Sequence, residues 1–171
     1  MTPQALPYGP SFGLGLLLPV TMLLLVPLLI AARRAGSMAG AFVVVALWLR
    51  TTAGAYHLYM FKPLAGGFSG NALLSIAATA FGLLFVVRPA NLAIKYLLPV
   101  YALIVLALVS AAMNGDPAGG VNVAVKYAYM IVILIAVFQA LRVDPEARFL
   151  GWAMVSFLPL LVFQALSLAL N

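Results

Sequence analysis

Apolar residues in this chain come in long unbroken runs, not in the alternation of a strand or the one-sided stripe of a water-soluble helix. Six runs can be traced, at about 12–32, 40–60, 69–87, 92–113, 121–141 and 149–170. A bilayer core of about 30 Å takes roughly 20 helical residues to cross, and each run is close to that length. A β-barrel would show short alternating segments. The pattern therefore predicts an all-α membrane protein, a bundle of about six transmembrane helices forming a single domain over residues 1–171.

Breaker residues separate the runs: Gly36 to Gly40, Lys62-Pro63 with Gly66-Gly67, Arg88-Pro89, Asn114 to Gly120, and Asp144-Pro145. The loops are too short to fold alone. Pro19, Pro27, Pro99 and Pro159 fall inside runs and read as bends, which membrane helices tolerate because neighbours satisfy the freed carbonyls. In the third run Ser75, Ala78 and Gly82 share a face, and small residues there let helix backbones approach closely in lipid.

Composition agrees. Of 171 residues 66% are hydrophobic and 7% charged, against roughly 45–50% and about 25% in soluble domains. The absence of cysteine excludes disulfides, thiolate metal sites and a cysteine nucleophile. With one histidine and three acidic residues, no His pair, carboxylate dyad or two-metal site is expected, and no metal or cofactor. The net charge of +6 comes from scattered Lys and Arg, without the basic stretch of a nucleic-acid binder.

Those cations predict the topology. Arg33, Arg34, Arg88, Lys95, Arg142 and Arg148 fall at one set of loops, and Lys62 is the lone loop cation of the other. The positive-inside rule makes the first set cytoplasmic. Six spans then put both termini outside.

Two cations lie within the runs. Arg50 is placed midway along the second, where an arginine costs roughly 2.5–3.5 kcal/mol on insertion scales. Its bland reading is bonding to backbone carbonyls; its functional reading is a partner or a wet cavity. Lys126 is placed about one and a half turns inside the fifth run, beside Tyr127 and Tyr129, which suit an interfacial aromatic belt. No carboxylate lies in any run, so an outside counter-ion is indicated; a phosphate or diphosphate suits both side chains. Tyr56, His57 and Lys62 at the outer end of the second run read as an interfacial belt or as glycan or headgroup contacts. Ser69 is positioned to cap the third helix and is read with them as a possible glycan or headgroup contact.

The stretch from Trp48-Leu49-Arg50 through Tyr56-His57 and Gly67-Phe68-Ser69 to Asn71-Ala72-Leu73 resembles the early helices of bacterial O-antigen ligases and polysaccharide polymerases. The block from Ser110 to Asp116, followed by Lys126-Tyr127, is similar to their Ser-rich helix end and outer turn before a helix with a basic residue. The resemblance covers about residues 40–171. It implies a multi-pass protein of the bacterial cytoplasmic (inner) membrane in cell-surface polysaccharide or lipopolysaccharide assembly, related to metal-independent glycosyltransferases. It implies an undecaprenyl-diphosphate-linked glycan as partner, held at the outer face, with Arg50 and Lys126 on the diphosphate. Family members have more spans and a large outer catalytic loop. This chain is therefore expected to be an N-terminal portion or short relative, not catalytic alone, with a C-terminal half or further membrane subunit as partner. Two other readings stand beside this one: a non-catalytic transporter subunit, since six helices in this length resemble the substrate-binding component of vitamin transporters, and a structural subunit of a cell-envelope complex.

Overall fold

The computed structural model describes residues 13–62, 68–92, 95–144 and 148–170. Pro63, Gly66, Gly67, Pro145 and Glu146 lie outside these. Among the described residues the regular elements are helical. They are α1 (Leu14–Arg34), α2 (Met38–Ala55), the short α3 (His57–Met60), α4 (Gly70–Phe81), α5 (Leu98–Met113), α6 (Pro117–Val143), α7 (Arg148–Ala153) and α8 (Leu158–Leu170). A π-helical turn, Gly82–Val86, extends α4, and single 3-10 turns cover Pro89–Asn91, Lys95–Leu97 and Met154–Phe157.

Five helical stretches are long and apolar enough to cross a membrane: Leu14–Arg34, Met38–Ala55, Lys95–Met113, Gly119–Val143 and Arg148–Ala169. The sixth apolar helix, Gly70–Val86, is shorter. The molecule is an all-α, multi-pass membrane bundle.

Local chemistry explains the boundaries. Ser37, Ser69 and Asp116 cap α2, α4 and α6, their side-chain oxygens accepting from Gly40 N at 3.0 Å, Ala72 N at 3.3 Å and Gly119 N at 2.9 Å. Each satisfies an amide that the first helical turn leaves free. The tight reversals α1–α2 and α5–α6 use Gly36 and Gly115 at φ of 72° and 67°, a region glycine enters without a Cβ penalty. Helix α6 starts at Pro117, four residues before the sequence pattern places it, because Asp116 caps it and proline suits the first turn. Helix α2 ends at Ala55, short of the expected residue 60, with a break at Tyr56. Pro19 and Pro27 lie inside α1, whereas Pro99 sits in the first turn of α5 and bends nothing.

Helices α2 and α6 form the centre. Helix α1 and the α7–α8 segment pack on α2, α4 lies against α6 and α2, and α5 rests on α6. The core holds Phe42, Val43, Val44, Trp48, Ile131, Val132, Ile135 and Phe149, interleaved with Ala31, Ala46, Ala136, Ala140 and Ala153. Small residues suit helices that associate by close packing, since lipid supplies little hydrophobic drive between them. Gly82, in the π-helical turn that extends α4, makes a close approach: an added Cβ would stand 2.2 Å from Val132 Cγ1 and 2.9 Å from Phe42 Cζ. Ser156, in the 3-10 turn before Pro159, ties α2 to the last segment. Its hydroxyl donates to Val44 O at 2.7 Å, and its carbonyl accepts from Thr51 Oγ1 at 2.6 Å.

Candidate functional site

The polar centre of the bundle forms around Arg50. Its Nη1 donates to Asn71 Oδ1 and, at 3.5 Å, to Ser75 Oγ, both on α4. Asn71 and Ser75 are four residues apart, so they share one face of α4, and both are buried. The Ser75 hydroxyl donates in turn to Asn71 O at 3.0 Å. On the other flank Tyr129 of α6 donates to Ala46 O at 3.0 Å. A narrow crevice is lined by Arg50, Ser75, Tyr129, Ala46, Leu49, Leu74 and Ala78.

This arrangement corrects three expectations. Arg50 lies five residues from the end of α2, about 7.5 Å along the helix, because the chain breaks at Tyr56; the expected position was midway along a longer span. Lys126 is nine residues into α6, about 13 Å along it, deeper than expected because the helix starts earlier. Neither cation is enclosed: both are exposed at the surface of the chain. Tyr129 belongs to no surface belt; its hydroxyl points between helices.

Arg50 has neutral partners in place of a carboxylate, and its other N–H groups bond to nothing among the described residues. Its charge is therefore answered by no carboxylate among the described residues. Lys126 lies one turn before Tyr129 on α6, and no contact joins it to Arg50. Ser69 performs the capping expected of it. Tyr56 shares a 2.9 Å hydrogen bond with Thr21 of α1, which engages its hydroxyl within the bundle. His57 is half-buried and opens α3, and Lys62 is exposed beyond it. The sequence-expected residues thus divide: Arg50 gains a built environment, whereas Tyr56 and Ser69 have structural roles and His57, Lys62 and Lys126 stand apart.

Beside the crevice runs an apolar groove of about 510 Å³ between α2 and α4, lined by Met38, Ala41, Phe42, Val45, Ala46, Leu49, Leu74, Ala77, Ala78 and Phe81. Ala46, Leu49, Leu74 and Ala78 line both. The groove therefore runs from the Arg50 crevice to Met38, at the start of α2. Two further polar atoms, Trp48 Nε1 and Thr52 Oγ1, are buried without a partner; they sit one turn apart on α2.

Ser75 and Tyr129 are site residues that sequence reasoning assigned to other roles, and Asn71 is one to which it assigned none. The i, i+4 spacing of Asn71 and Ser75 in an otherwise apolar run was the available signal. Compared with protein-family models, with curated proteins and with solved structures, the chain matches none. Fold and site together define a multi-pass helical membrane protein with an uncompensated arginine beside an apolar groove.

Proposed function

We propose that the protein binds a long-chain lipid with an anionic headgroup, the head at Arg50 and the chain in the α2–α4 groove, and that this lipid is an undecaprenyl-diphosphate-linked glycan of cell-surface polysaccharide assembly. One observation carries the reading: a guanidinium fixed by two neutral side chains, with donors to spare, at the end of an apolar groove. The fork of arginine suits a phosphate oxygen pair, and Asn71 and Ser75 orient that fork without neutralising it. Lys126 adds a second positive charge on the side of α6 that carries Tyr129. The role is binding and presentation; glycosyl transfer needs groups that this site does not hold. The cellular setting goes with the proposal: a bacterial cytoplasmic membrane, basic loops inside, termini outside. Accessibility of a tag on either terminus tests that orientation, and an N-terminal tag shielded in sealed spheroplasts would reverse it.

The binding test is native mass spectrometry of the chain in neutral detergent with undecaprenyl diphosphate. Arg50→Gln is expected to weaken the adduct roughly tenfold, the value of one charge-assisted hydrogen bond, and Lys126→Gln by less. Undiminished adducts in both variants would remove the reading. A protein that co-purifies in equal amount, and is lost with Arg50→Gln, would instead identify a partner's carboxylate as the counter-ion.

A further inference from the structure

At the far end of α2 from Arg50 lies a second cavity, of about 290 Å³, lined by Ser37, Met38, Ala39, Val86, Arg88, Asn91, Gln139, Arg142 and Val143. Its character is unlike that of the groove: two arginines, two amides and the first residues of α2 face one space. The first turn of that helix adds the partial positive charge of a helix N-terminus.

A buried network builds the wall. Gln139 Oε1 accepts from Arg88 N at 3.1 Å and from Asn91 Nδ2 at 3.0 Å, and Gln139 Nε2 donates to Val86 O at 3.2 Å. Gln139 thereby satisfies the backbone groups released where the π-helical turn ends and the chain turns toward α5. It also fixes the Arg88 backbone against α6. Arg142, one turn after Phe138, lays its guanidinium over that ring at 4.4 Å. Neither the Arg88 nor the Arg142 side chain forms a hydrogen bond or ion pair among the described residues. Two arginines without an anionic partner among the described residues thus line one cavity, which leaves it suited to an anion.

We propose that this cavity is a phosphate site, in which Arg88 and Arg142 bracket the phosphate and Asn91 offers its remaining amide capacity. Met38 lines both this cavity and the apolar groove, so a phospholipid has room to place its head between the arginines and a chain along α2. A soluble phosphate ester presents the same head without the chain. The proposal is independent of Arg50, which lies twelve residues away on α2, about 18 Å along the helix.

The test uses the full chain in neutral detergent with three probes: phosphatidylglycerol, diacylglycerol of the same chain length, and inorganic phosphate. Lipid adducts are read by native mass spectrometry and phosphate binding by ³¹P line broadening. Phosphatidylglycerol is expected to bind and diacylglycerol to bind at least tenfold more weakly. Arg88→Gln and Arg142→Gln are each expected to weaken binding roughly tenfold. Both side chains are exposed, and an unchanged thermal unfolding transition checks that the fold is intact. Arg34→Gln, at the same end but outside the lining of the cavity, is expected to leave binding unchanged. Inorganic phosphate binding as tightly as the lipid assigns the site to soluble esters; lipid binding alone assigns it to a headgroup. Equal binding of diacylglycerol, no binding of either phosphate probe, insensitivity to both arginine variants, or an equal loss in Arg34→Gln would each overturn the proposal.

Discussion

Replacing Gly82 with alanine tests the packing on which the Arg50 site depends. The added Cβ would meet Val132 Cγ1 at 2.2 Å and Phe42 Cζ at 2.9 Å, where carbon atoms normally sit about 3.5–4.0 Å apart. The shortfall against Val132 is therefore about 1.5 Å. Neither neighbour yields easily. Val132 is 1% exposed, and a β-branched side chain in a helix is held near one rotamer. The Phe42 ring is also buried, stacked 6.1 Å from the ring of Phe81. Helix α4 must then move away from α6, and overpacking of this kind costs typically about 1–3 kcal/mol. The gain from replacing a helical glycine, roughly 0.5–1 kcal/mol, offsets part of it. The two terms leave a net destabilisation of roughly 0–2.5 kcal/mol, about 1 kcal/mol at their midpoints. Unfolding in mixed micelles, followed by far-UV circular dichroism, measures it. Val132→Ala removes the colliding methyl, so the double variant should be more stable than the sum of the singles by about 1 kcal/mol or more. A raised stability in Gly82→Ala, or strict additivity in the double variant, would refute the close α4–α6 contact.

Other outcomes follow from the same structure. Asn71→Ala removes the acceptor of Arg50, and should destabilise by about 1 kcal/mol in the same assay, within the range of interhelical hydrogen bonds in lipid; in an Arg50→Gln background the loss should shrink. Ser69→Ala and Asp116→Ala each remove a helix cap and should cost about 1 kcal/mol, with Ser69→Asp retaining stability. Gln139→Leu leaves Arg88 N, Asn91 Nδ2 and Val86 O without their partner. It should cost roughly 2 kcal/mol or more and speed hydrogen exchange at the Arg88 amide, read by mass spectrometry.

The fold was legible because lipid imposes a length and a polarity on each helix, and the six apolar runs fall on the helical segments observed. Local signals were readable wherever they act within a few residues. The Ser69 cap is of that kind, whereas the small face that includes Gly82 was readable only as a packing face, not for the Val132 and Phe42 it meets. Asp116-Pro117 is a signal of the same kind, but with the glycines at 119 and 120 the segment read as a loop and the helix start at Pro117 was missed. Pairing across helices was not legible. Periodicity puts Asn71 and Ser75 on one face, but only packing selects Arg50 as what they meet. Tyr129 beside a lysine reads as an interfacial ring until α6 is found to begin at Pro117, which carries it deeper. Gln139 gave no sign of its role, since its three partners lie some fifty residues earlier in the chain.

The unequal lengths of the helices bear on how a ligand enters. Gly70–Val86 has 17 residues, about 25 Å of helix, whereas α6 has 27 residues, about 40 Å. A bilayer of one thickness fits both only if α6 tilts or extends beyond it. Where Gly70–Val86 faces lipid without such compensation, the bilayer thins beside it, at a cost of fractions of a kcal/mol per ångström. That is the side where the groove lies. On the proposed reading, a lipid chain entering the α2–α4 groove from thinned bilayer gives up less ordered packing than it would elsewhere on the perimeter. The short helix would then mark the side from which that lipid enters.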